Sequence, residues 1–106
     1  MLFKTPEEFL VYVSNIKSLS REEELSLFSK IQDPEARNLL IEGYLPVLSM
    51  YLKRSFHPLT LEIIYRGLAV LETSVDSFDF QKDNPTFSKF LGIKVRQMFV
   101  SYIANK

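Results

Sequence analysis

The chain has no cysteine and no tryptophan, only three glycines, and a single histidine in 106 residues. Without cysteine there is no disulfide, no thiolate nucleophile and no cysteine-based zinc site. The same absence fits a reducing, cytoplasmic setting. His57 precedes Pro58 in a stretch that reads as a loop, so it reads as a surface residue rather than a catalytic base, which needs a partner to orient it. No glycine-rich phosphate loop, nucleophile elbow or zincin pair occurs. Adjacent helical carboxylates such as Glu22, Glu23 and Glu24 point in different directions and make a poor cation cage. The chain is therefore expected to be no enzyme and to hold no metal or cofactor. No apolar run approaches the length of a membrane span. Glu7 and Glu8 come too early for a signal peptide.

Charge of one sign is also missing locally. Lysine plus arginine balance aspartate plus glutamate at 13 each, which argues against coating nucleic acid by bulk electrostatics. Yet no carboxylate follows Asp83, while Lys89, Lys94, Arg96 and Lys106 do. Acids crowd the first half instead: Glu7, Glu8, Glu22, Glu23, Glu24, Asp33, Glu35 and Glu42. This polarity points to one face for an anionic partner and another for a different partner. For Glu22, Glu23 and Glu24, the preference of acids for helix N-termini is a sufficient explanation.

No short alternating runs mark strands, and what is present is helical throughout. Thr5 caps a helix with Pro6 at its first position, reaching about Lys17. Ser20-Arg21-Glu22-Glu23 forms a capping box, with Leu25, Phe28 and Ile31 following on one face. Asp33-Pro34 opens a third helix carrying Leu39, Leu40 and Ile41. Pro46 predicts a kink or short break after Tyr44, with helix resuming to about Phe56. Thr60 caps a helix in which Ile64, Leu68, Leu71 and Val75 make a packing seam. Tyr65, Arg66, Ala69, Glu72, Thr73 and Asp76 lie away from that seam, as either a solvated face or a docking face for another helix. Asp79 to Pro85 reads as a loop, and Thr86 caps the last helix. The expected fold is all-α: a single compact bundle of about five helices spanning 1–106.

On the last helix, spacing puts Leu91, Val95, Met98 and Tyr102 on the core side. The opposite side then holds Lys89, Ile93, Arg96, Gln97 and Val100, flanked by Phe90 and Lys94. Apolar and aromatic groups framed by cations can receive unstacked bases of single-stranded nucleic acid. The alternative is that this face, Phe90 and Ile93 above all, packs on the N-terminal helices.

The order of several segments resembles that of the sigma factors of bacterial RNA polymerase, in their second conserved region and the helix before it. Leu19-Ser20-Arg21-Glu22-Glu23-Glu24-Leu25-Ser26-Leu27-Phe28 is similar to the family's opening helix. Ala36-Arg37-Asn38-Leu39-Leu40-Ile41-Glu42-Gly43-Tyr44-Leu45 is similar to the next helix. Val75-Asp76-Ser77-Phe78-Asp79 resembles the end of the polymerase-docking helix. Phe87-Ser88-Lys89-Phe90 followed by Val95-Arg96-Gln97 resembles the helix that melts and reads the minus-ten promoter element. The likeness runs from about Leu19 to Tyr102.

That resemblance implies an N-terminal helix in 1–18, sigma-like helices in 19–56, a docking helix in 60–78 and a minus-ten helix in 86–104. It implies two partners: the largest subunit of the RNA polymerase core, and the non-template single strand of promoter DNA. By position, Phe90 stands where the family stacks an aromatic on a flipped adenine. Phe87 is the neighbouring pocket aromatic, and Gln97 and Arg96 fall on the matching glutamine and arginine. Lys89, Ile93 and Lys94 complete the expected DNA-binding set. Tyr65, Arg66, Ala69, Glu72 and Asp76 form the expected polymerase-binding set.

The departures are equally specific. The family's paired tryptophans, which wedge open the duplex, are Ile93 and Lys94 here. Arg66 reverses the charge of a glutamate that the family turns toward polymerase, which replaces attraction by repulsion unless the partner changes too. Pro46 departs from the primary type, though alternative sigma factors often carry Tyr-x-Pro near this point. Residues 1–106 contain no helix-turn-helix to read a minus-thirty-five element, as expected either of an excised domain or of a short sigma-like subunit that relies on a partner. Two expectations stand side by side. One is a transcription initiation module that contacts melted minus-ten DNA. The other is a degenerate sigma-like interaction module, such as a split sigma subunit or regulator, whose partner is a second sigma-like subunit or an anti-sigma factor.

Overall fold

Local chemistry starts nearly every helix in the computed structural model, which describes residues 3–81 and 86–104. Thr5 accepts a hydrogen bond from the Glu8 amide and opens α1 (Pro6–Ser14). The Ser20–Glu23 capping box closes both ways, at 3.1 and 2.9 Å, and opens α2 (Arg21–Ser29). Asp33 accepts from the Glu35 amide at the head of α3 (Pro34–Gly43). Thr60 and Thr86 accept from the Ile63 and Lys89 amides and open α5 (Leu61–Ser77) and α6 (Phe87–Ala104).

Between them lies α4 (Leu45–Ser55), which has no side-chain cap. Tyr44 joins it to α3 with φ −96° and ψ 0°. Pro46 cannot donate a backbone hydrogen bond, so the ladder breaks here. The Tyr44 amide turns to Leu40 and Ile41, and its carbonyl accepts from the Leu48 amide at 3.0 Å to restart the helix. Of the kink or short break expected at Pro46, the structure has the break, at Tyr44, and the described residues form six helices rather than about five, with no strand. α1 also stops at Ser14, short of Lys17, because the Asn15 and Ile16 amides that follow it close tight turns back to the Tyr12 and Val13 carbonyls. The expected loop from Asp79 to Pro85 is non-helical through Gln81; residues 82–85, and Lys106 with its charge, lie outside the described residues.

One hydrophobic core unites the helices. α4, α5 and α6 pack against one another, α1 lies on α4 and α5, and α2 lies on α3. Two of the close approaches that depend on glycine lie in α5 and α6. A Cβ at Gly67 would sit 2.8 Å from Leu52 Cδ1, and one at Gly92 would sit 2.8 Å from Tyr51 Cζ. Gly92 therefore lets the Tyr51 ring lie across α6, where its hydroxyl donates to the Ser88 carbonyl at 3.1 Å. An aromatic cluster closes the end of the bundle. Phe28, Phe78 and Phe87 meet with centroids 5.2–5.4 Å apart, and Tyr44 meets Phe87 edge-on at 4.6 Å. Burial pushes the Tyr44 phenol well above its ordinary range, and the Glu24 carboxylate beside it adds to the shift.

Candidate functional site

α6 divides as its spacing predicts. Phe87, Leu91 and Val95 are buried, and Met98, Phe99 and Tyr102 pack partly against the core. Each fully buried large apolar side chain contributes roughly 1.5–3 kcal/mol, so the inward face can hold α6 without help from the outward one. Lys89, Ile93, Arg96, Gln97 and Val100 all face solvent. Ile93 is 51% exposed, Val100 57% and Ile103 51%. No ion pair of the described residues involves Lys89, Lys94 or Arg96; the two ion pairs lie elsewhere, at Arg37–Asp76 and Arg66–Glu62.

Phe90 stands at the boundary. One side of its ring packs against Phe78, with centroids 5.2 Å apart, and the Lys94 ammonium lies 5.2 Å from its centroid. Half-buried and braced by Phe78, the ring is held in place while part of it remains accessible. Cation–π attraction keeps Lys94 near that ring. The expected alternative, in which Phe90 and Ile93 are sealed beneath the N-terminal helices, does not occur.

Phe87 needs correction as a DNA contact. Its ring has no exposed surface and is walled in by Phe28, Tyr44 and Phe78. The physical reason is the first-turn position on the inward face, one helical turn before Leu91. Phe87 supports Phe90 from below, at 6.3 Å between centroids, and touches no solvent.

The face of α5 expected to meet polymerase is largely open: Arg66, Ala69, Glu72 and Asp76 are exposed and Tyr65 is half-buried. The Tyr65 hydroxyl accepts from the Phe3 amide at 2.7 Å and donates to the Phe3 carbonyl at 3.0 Å, so the N-terminal segment occupies it. Arg66 meets Glu62 at 3.2 Å and lies 5.4 Å from the Tyr102 ring centroid. Its reversed charge is thus answered within the chain. Asp76 receives a two-pronged hydrogen bond from Arg37 at 2.7 and 2.9 Å. That guanidinium holds the Asp76 carboxyl below its usual range. The five residues share one helix face, but Tyr65 and Asp76 are committed to intramolecular partners.

Neither of those commitments has a signal in the sequence. Phe3 and Tyr65 are 62 positions apart, and Arg37 and Asp76 are 39 apart. Ile103, which extends the exposed apolar stripe of α6, is findable by continuing the spacing from Val100 by three positions.

Comparison with protein families, with curated proteins and with solved structures finds no match to this chain. Among the described residues, no helix is long and apolar enough to cross a membrane, and no three His, Asp or Glu side chains gather as a metal site would require.

Proposed function

We propose that this chain is a sigma-like initiation module that docks on RNA polymerase through α5 and contacts single-stranded minus-ten DNA through the outward face of α6. The observation that supports it is the composition of that face: Lys89, Ile93, Arg96 and Gln97 all outward, Phe90 braced at the edge, and no carboxylate on the helix. Cations there would meet phosphate, and Phe90 would stack on an exposed base. Without the two tryptophans, Ile93 offers a smaller wedge than the cost of unstacking a base step demands. The module would therefore capture strands already opened rather than open them alone.

A second reading, a sigma-like protein-interaction module without autonomous DNA binding, draws on two observations: the burial of Phe87, which removes one expected base contact, and the absence of tryptophan. Fluorescence anisotropy separates the two. A labelled promoter bubble and the matching closed duplex are titrated with the chain, with and without polymerase core. Tighter binding to the bubble supports the first reading. Equal, weak binding to both templates while the core retains the chain supports the second.

A further inference from the structure

Two exposed apolar surfaces on this molecule carry opposite charge. The first is the α6 stripe of Ile93, Val100 and Ile103, bordered by Lys89 and Arg96. The second is a groove of about 420 Å³ between α2 and α3, lined by Leu19, Glu22, Glu23, Ser26, Leu27 and Leu39. Leu39 is 47% exposed on its wall, and Glu22 and Glu23 stand on its rim. The Ser20 amide and hydroxyl stabilise the Glu23 carboxylate, whose pKa is held below its ordinary value. α2 and α6 are not packed on each other along their lengths, which leaves both surfaces free on one copy at once.

We infer that the α6 stripe of one copy docks in the α2–α3 groove of a second copy of this chain. Apolar side chains of α6 enter the leucine-lined groove, and the cations beside them meet Glu22 and Glu23. A net charge of zero removes the long-range repulsion that would keep copies apart. The contact joins two different surfaces, so it is heterologous and adds copies head to tail, as an open series or a closed ring. It forms a weak series of oligomers rather than a two-fold dimer. The inference stands on these two surfaces alone and does not rest on the DNA reading.

Sedimentation velocity from micromolar to millimolar concentration tests it with two variants at exposed positions, Val100→Glu on α6 and Leu39→Lys in the groove. Far-UV circular dichroism checks that both remain folded. Wild-type chain is expected to grow in mean mass with concentration, less so at high salt because the charged rim is screened. Each variant alone is expected to lose at least about tenfold in self-affinity, a change of 1.4 kcal/mol. Mixed together, they retain one intact α6 face and one intact groove, so the mixture is expected to form a one-to-one dimer and nothing larger. Wild-type chain that stays monomeric overturns the inference. So does a mixture no more associated than its components, or variants that associate as wild type does.

Discussion

At the scale of single residues, burial separates two phenylalanines that stand three positions apart on α6. Phe87 is walled in by Phe28, Tyr44 and Phe78, whereas Phe90 rests on Phe78 and Phe87 with a lysine over its face. Truncating Phe87 removes a full aromatic from a packed cluster. Phe87→Ala is expected to cost about 3–5 kcal/mol of stability, as large-to-small core changes do, and a urea melt measures it. Any loss of DNA binding in that variant should track the fraction unfolded. The Arg37–Asp76 pair has a different signature. The folded-state pKa of Asp76 is depressed, so the pair contributes stability above the ordinary carboxylate pKa and loses it as pH falls through the depressed value. Both partners are substantially exposed, which limits the contribution to about 0–1 kcal/mol. Arg37→Met should lower the melting temperature by a few degrees at most at pH 7. The deficit should shrink as pH falls through the acidic range, and a set of thermal melts across pH reads it directly.

At the scale of elements, Gly92 and Tyr51 fix how α4 and α6 cross. Gly92→Ala gains helix propensity, worth about 1 kcal/mol, but its Cβ would collide with a ring tethered to the Ser88 carbonyl. Overpacking of this kind costs about 1–3 kcal/mol, so the net effect is expected to be destabilising. A double-mutant cycle with Tyr51→Ala checks the cause, because the penalty should vanish once the ring is gone. The same elements show what a sequence can carry. Caps are local: Thr5, Ser20, Asp33, Thr60 and Thr86 each satisfy amides within three positions, and every one is legible as a residue type in place. The division of α6 is legible too, because 3.6-residue periodicity fixes which side chains share a face. The extent of the break at Tyr44 is not, since Pro46 removes one bond whether the helix bends or separates. Burial of Ile63, Gly67 and Ser74 beside the Ile64 seam is also hidden. It depends on α5 being covered from several directions, by α1, α3, α4 and α6. The engagement of Tyr65 by Phe3 and of Asp76 by Arg37 arises only when distant segments meet, so spacing along α5 cannot show that these two side chains have partners within the fold.

At the scale of the whole molecule, the balance of charge matters less than its separation. A neutral chain places Lys89, Lys94 and Arg96 on a helix without acids, and a single-stranded partner would feel that helix rather than the sum. Lys89, Lys94 and Arg96 would release about two counterions on binding a single strand, so log affinity should fall with log salt at a slope near about −2. A much steeper slope would place the contact elsewhere. The most direct test of the account is the affinity of the Phe90→Ala chain for a promoter bubble, compared with wild type on the same template. Phe90 is half-buried, so folding is checked first by circular dichroism. The account predicts a loss of about 1–3 kcal/mol, as for one stacked base, with closed-duplex binding unchanged. A folded Phe90→Ala chain that binds the bubble as tightly as wild type would contradict it.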